Sequence, residues 1–159
     1  MDRSDEDDTQ LSFVGPHEGR ELELMLEGKK HLSMFLIEDT VEYENYPDKQ
    51  FDTFVSEGKF LKDVRVAHYP SFGGTEITAR NILYASTGEG WRIPAMRMIQ
   101  DIYENMGPGW RPDLERAIGS LLGYDRNDVE LFIERHAKLH GKPSDHDPCR
   151  NRASTFRPP

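Results

Sequence analysis

The chain has 159 residues, 36% of them hydrophobic, and a formal net charge of −9. That length suits one domain with a real core, and no apolar run approaches the ~20 residues that a membrane span requires. The charge is lopsided: residues 1–60 hold 16 acids against 6 bases, a net of −10, whereas residues 61–159 hold 13 acids and 14 bases.

Residues 1–10, with Asp2, Asp5, Glu6, Asp7 and Asp8, read as a flexible acidic tail, the reverse of a basic signal-peptide start. Residues 11–140 carry the periodic apolar pattern and are expected to form a single α+β domain. Leu11–Val14 is a short apolar stretch with the character of an edge strand. Gly15-Pro16 opens a helix whose buried stripe is Leu22, Met25 and Leu26 and whose stop is Gly28. His31–Ile37 is a nearly continuous apolar run, expected as a strand covered on both faces. After an acidic loop, Pro47 starts a second helix with Phe51, Phe54 and Val55 on one face and Gly58 at its end.

Phe60–Tyr69 alternates with period two, placing Phe60, Val64 and Val66 on one face with Lys62 as the exception. Thr75–Ala85, with Ile77, Ala79, Leu83 and Ala85 in phase, completes a β-hairpin over about 60–85. Glu27-Gly28-Lys29 and Glu57-Gly58-Lys59 echo one another at two helix-to-strand junctions. From Trp91 the pattern is helical three times over. Ala95, Ile99, Ile102, Tyr103 and Met106 make the first apolar face, and Leu114, Ala117, Ile118, Leu121 and Leu122 the second. Asp125 is the expected N-cap of the third, which carries Val129, Phe132, Ile133 and His136. The expectation is a sheet of three or four strands, two helices in the first half and a three-helix C-terminal segment. Residues 141–159, with Pro143, Pro148, Pro158 and Pro159 and little apolar content beyond Phe156, read as a flexible or draped tail.

Five groups of residues bear on function. Glu38, Asp39, Glu42, Tyr43, Glu44, Tyr46 and Asp48 mix acids with tyrosines, which suits docking to a basic protein. Charge steers the encounter and the aromatic rings supply contact area. This reading also accounts for the charge asymmetry, so it is the leading one: a non-catalytic acidic interaction module that inhibits or neutralises a basic partner. His17 and Glu21, four apart, offer a His–carboxylate pair for general-base chemistry, although acids at a helix start also serve the macrodipole. His136 and His140 share a helical face and both reach one metal if a third ligand exists, but His136 also continues the apolar stripe. Arg65 and Arg80 on the hairpin, with Arg92, Arg97, Arg111 and Arg116 beside Trp91 and Trp110, suit anion binding or internal neutralisation.

The two last helices outline a helix-turn-helix, but Asp128, Glu130 and Glu134 balance Arg126, Arg135 and Lys138, which argues against direct nucleic-acid binding. No phosphate-binding glycine loop or nucleophile elbow is present, and nothing in the chain asks for a cofactor. The alternatives are a small enzyme using either histidine site, or a structural subunit of a larger assembly. A single cysteine, Cys149, makes no internal disulfide, so the expected compartment is the cytoplasm.

Overall fold

A computed structural model of the protein describes residues 17–38, 47–70, 76–107 and 109–140, with backbone alone for 47, 48, 69, 70, 139 and 140. In chain order the elements are α1 (Glu21–Leu26), β1 (Leu32–Glu38), α2 (Pro47–Ser56), β2 (Phe60–Pro70), β3 (Glu76–Ser86), α3 (Arg92–Met106), α4 (Pro112–Leu122) and α5 (Arg126–His140). This is the α+β architecture the periodicity predicts, with three strands. Both tails, and the apolar stretch Leu11–Val14, lie outside the described residues.

The strand order is β1-β3-β2, so the last strand in sequence is the central one and pairs antiparallel with both neighbours. Its central place explains its burial. Ile82, Leu83, Tyr84 and Ala85 have no exposed surface, because both faces of β3 are covered as well as both edges. One face packs on the helices of the first half through Met25, Ile37, Phe51, Phe60, Ile82 and Tyr84. The other packs on the C-terminal helices through Leu32, Leu83, Ala85, Met96 and Leu122. The outer strands are less protected. Leu36 of β1 and Val66 of β2 are 59% and 54% exposed, so β1 is covered on both faces only in its first half.

The echoed tripeptides form the same device twice. Gly28 and Gly58 adopt φ of 69° and 74°, a left-handed conformation that glycine enters without steric cost. In each case the glycine N–H and the following lysine N–H bond back into the last helical turn: Gly28 to Met25 and Lys29 to Leu24, Gly58 to Val55 and Lys59 to Phe54. Each lysine also pairs with the glutamate two residues before it, at 2.7 Å for Lys29–Glu27 and 2.9 Å for Lys59–Glu57. The two helices therefore deliver two mutually parallel outer strands to the opposite edges of β3.

The Lys62 exception in β2 has a physical reason. Its ammonium pairs with Asp52 of α2 at 2.7 Å, and the Tyr84 hydroxyl donates to the same carboxylate at 3.0 Å. A polar anchor thus replaces an apolar contact where α2 crosses the sheet. The first helix differs from expectation: it begins at Glu21 rather than behind Pro16. Gly19 at φ 78° and an Arg20 N–H to His17 carbonyl turn precede it, so His17 is not on α1.

Candidate functional site

The acidic segment that leads the functional reading is only partly described. Glu38 closes β1 opposite Ala79 and is exposed, at the same end of the sheet as the exposed Glu76 that opens β3. Asp39, Glu42, Tyr43, Glu44 and Tyr46 lie outside the described residues. Asp48 sits in the first turn of α2, and its side chain is outside the described atoms. β1 is an edge strand, with ladder partners only on its β3 side among the described residues.

Around His17 the structure assembles a cluster that spacing did not foretell. Lys30 is 1% exposed, and its ammonium donates to the Leu122 carbonyl at 2.7 Å. It also meets His17 Nδ1 at 3.2 Å and lies 4.7 Å from the centre of the Tyr124 ring, which His17 contacts edge-on. Burial pushes the Lys30 ammonium down to about 8, opposed by the Glu21 carboxylate. Burial, followed by the Lys30 charge, also lowers His17. Glu21 therefore acts on Lys30 through its field, and His17 contacts Lys30 in place of the His17–Glu21 pair expected from a shared helix.

The chemical role of the cluster follows from where Lys30 points. Helix α4 has no basic residue in its last turn, yet its C-terminal carbonyls carry the negative end of the macrodipole. Lys30 supplies a cation there from the loop before β1, and Arg92 of α3 supplies another by donating to the Leu121 carbonyl at 3.1 Å. Both cations cap α4 from other parts of the chain. Lys30 is enclosed, and its lowered basicity is the consequence of that burial.

The second polar centre lies under α3. The sheet face there presents Asp63 and Asn81 in place of apolar side chains. Arg97, 8% exposed, answers with its whole fork. Its Nε donates to Asp63 at 2.7 Å, and Nη1 donates to Asn81 Oδ1 at 2.6 Å and to Gln100 Oε1 at 2.8 Å. Nη2 reaches the Asn81 carbonyl at 3.0 Å. Beside this network Arg65 pairs with Asp101. A shallow groove of about 190 Å³ runs along it, lined by Arg65, Ala67, Asn81, Gln100, Tyr103 and Glu104. Tyr103 closes the far side by donating to Glu115 of α4. Burial and that carboxylate both raise its phenol well above its usual range.

This arrangement corrects two expectations. Arg65 faces Asn81 across the ladder, whereas Arg80 faces Val66, so the two arginines lie on opposite faces of the hairpin and form no joint anion site. The apolar face read for α3 is also rotated. Met96, Arg97 and Ile99 are buried, while Ile102 and Met106 are 36% and 40% exposed. Asp63 and Asn81 demand donors from the helix above them, and that demand outranks the apolar periodicity.

His136 is half-buried on α5 and stacks on Trp110, with ring centres 4.4 Å apart and planes 12° from parallel. His140 ends the same helix, its side chain outside the described atoms. Among the described residues no three of His, Cys, Asp and Glu gather where one metal ion could bind. Nor is any described helix long and apolar enough to cross a membrane. The turn before α5 forms as expected, with Asp125 accepting the Asn127 N–H at 2.8 Å. On the helix pair it joins, Arg116 of α4 and Glu130 of α5 make a two-pronged, exposed ion pair.

Lys30 escaped sequence reasoning, whereas Arg97 is one of the arginines read as suited to internal neutralisation, the role its pairing with Asp63 fits. The available signal for its partner was Asp63, a half-exposed acid in an otherwise alternating strand. No protein-family model, curated protein or solved structure matches this chain.

Proposed function

We propose that the protein is a non-catalytic acidic interaction module that binds a basic protein partner through Glu38–Asp48, and so inhibits or neutralises it. The observation that carries the reading is the net of −10 confined to residues 1–60. Two described features support it. The exposed Glu38 leads into the acidic segment from the end of an edge strand, and the exposed Glu76 stands at the same end of the sheet. The cations Lys30 and Arg97 favour it too, since both are held inside the fold, by the Leu122 carbonyl and by Asp63, and add little exposed positive charge. Cytoplasmic residence belongs to the same proposal and fits a chain with the single cysteine Cys149.

The test is a charge reversal of Glu38, Asp39, Glu42 and Glu44 to Lys. Affinity for the basic partner falls more than tenfold while the melting temperature barely moves, since Glu38, the one of the four among the described residues, is exposed at the end of β1. Unchanged affinity would refute the assignment.

A further inference from the structure

His17 joins the N-terminal segment to the body of the fold. Its Nδ1 accepts from the Lys30 ammonium at 3.2 Å, and its ring meets Tyr124 edge-on with centres 4.7 Å apart. Lys30 is buried before β1 and held by the Leu122 carbonyl at 2.7 Å, and Tyr124 follows the end of α4. The neighbours Glu18, Gly19 and Arg20 are exposed, so the imidazole carries the attachment. The His17 carbonyl receives the Arg20 N–H at 2.9 Å, which passes the attachment on to the start of α1.

The contact tolerates one protonation state. An ammonium has donors and no acceptor, so Nδ1 must present its lone pair. A proton there sets two donors face to face 3.2 Å apart and places a second positive charge beside the first. The other charges around the ring do not cancel this repulsion. Arg20 adds to it from the same turn, and Asp128 of α5 opposes it. Glu18 and Glu21 act from the same segment on Tyr124, and Glu21 also on Lys30. Among the described residues no carboxylate pairs with the ring. Burial, followed by the Lys30 charge, holds the docked imidazole below its ordinary value of 6.5.

We propose that His17 is an acid-released latch, which docks the N-terminal segment on Lys30 and Tyr124 when neutral and frees it when protonated. Upstream of it stand Asp2, Asp5, Glu6, Asp7 and Asp8, so the latch couples pH to the placing of that acidic charge. It rests on the contacts among residues 17, 30 and 124, and not on Glu38–Asp48. The freed imidazole binds its proton more readily than the docked one, so the latch weakens as pH falls through 6.5. Each pKa unit of lowering becomes a tenfold shift toward release once the pH lies below both values.

Nuclear magnetic resonance on the full chain tests it between about pH 7.5 and about pH 5. The ring C–H shifts of His17 report its protonation, and the Overhauser effect between the His17 and Tyr124 rings reports docking. The ring contact is present at the upper pH and disappears on acidification with the midpoint of the His17 titration, below 6.5. The amide signals of β3 keep their positions throughout. Asp128→Asn, at an exposed residue, removes the acid that favours the imidazolium and moves both midpoints down together. A ring contact that survives with His17 fully protonated overturns the proposal. So does a His17 midpoint at or above 6.5, or a loss of contact shared by the β3 signals, which would be general unfolding. A release that stays in place while Asp128→Asn shifts the His17 midpoint overturns it too, because other groups would then drive the release.

Discussion

Replacing Lys30 with Met tests the tertiary cap of α4 through its pH dependence. The folded state lowers this ammonium from its ordinary value of 10.5 to about 8. Below about pH 8 the group is charged in both states and burial costs stability. Between about 8 and 10.5 the unfolded chain holds the proton that the folded chain has released, so stability rises with pH. One pKa unit is about 1.4 kcal/mol, so the native protein gains about 2 kcal/mol between pH 7 and pH 9.5 from this group. Urea denaturation followed by circular dichroism at half-unit steps measures it. Tyr103 and Tyr124 act in the opposite sense only above about pH 10, since their raised pKa values leave them protonated in the fold after the unfolded chain has ionised. The range from about pH 7.5 to 9.5, above the lowered His17 and below the tyrosines, therefore isolates Lys30. The Lys30→Met protein should show a rise smaller by about 2 kcal/mol over that range. Parallel curves for the two proteins would refute the enclosure of the Lys30 ammonium.

Two further substitutions probe the packing of the C-terminal helices. Arg97→Met removes the donor to half-exposed Asp63 and leaves Asn81 only Gln100 beneath α3, and should cost about 1–2 kcal/mol in urea denaturation; a loss below about 0.3 kcal/mol would show that the network does not hold α3 to the sheet. In Gly119→Ala the new Cβ would stand 2.5 Å from Val129 Cγ2 of α5. Overpacking of about 1–3 kcal/mol should outweigh the helix-propensity gain of about 1 kcal/mol. Adding Val129→Ala should leave the double variant more stable than the two single losses predict, whereas strict additivity would contradict the contact.

Much of the fold was legible because local chemistry and global packing agree. Gly28, Gly58 and Gly123 end helices where the apolar stripes run out, and all three adopt the positive φ their caps require. Phe51 and Phe60 lie in the core that their periodicity marks. The pattern misled where tertiary neighbours set the terms. Val64 and Val66 alternate as an inward face should, yet on an edge strand beyond the cover of α2 they are 45% and 54% exposed. Ile102 and Met106 look like core residues and are exposed, because Asp63 and Asn81 turn a different face of α3 to the sheet. Of the candidate site, Glu38, read as the first residue of an acidic loop after a strand ending at Ile37, instead closes β1 opposite Ala79. The Lys30 cluster was illegible, since it joins residues 17, 30, 122 and 124, whose meeting depends on the chain's path through the sheet.

The central claim, that an acidic face selects a basic partner, is tested most directly by capture from native cell extract. The native chain and the Glu38/Asp39/Glu42/Glu44 reversal serve as baits at low and high salt, with the retained proteins read by mass spectrometry. The account predicts a basic protein held by the native chain at low salt, released at high salt as screening shortens the reach of its charges, and missing from the reversed bait. The same proteins on both baits, or retention indifferent to salt, would contradict it.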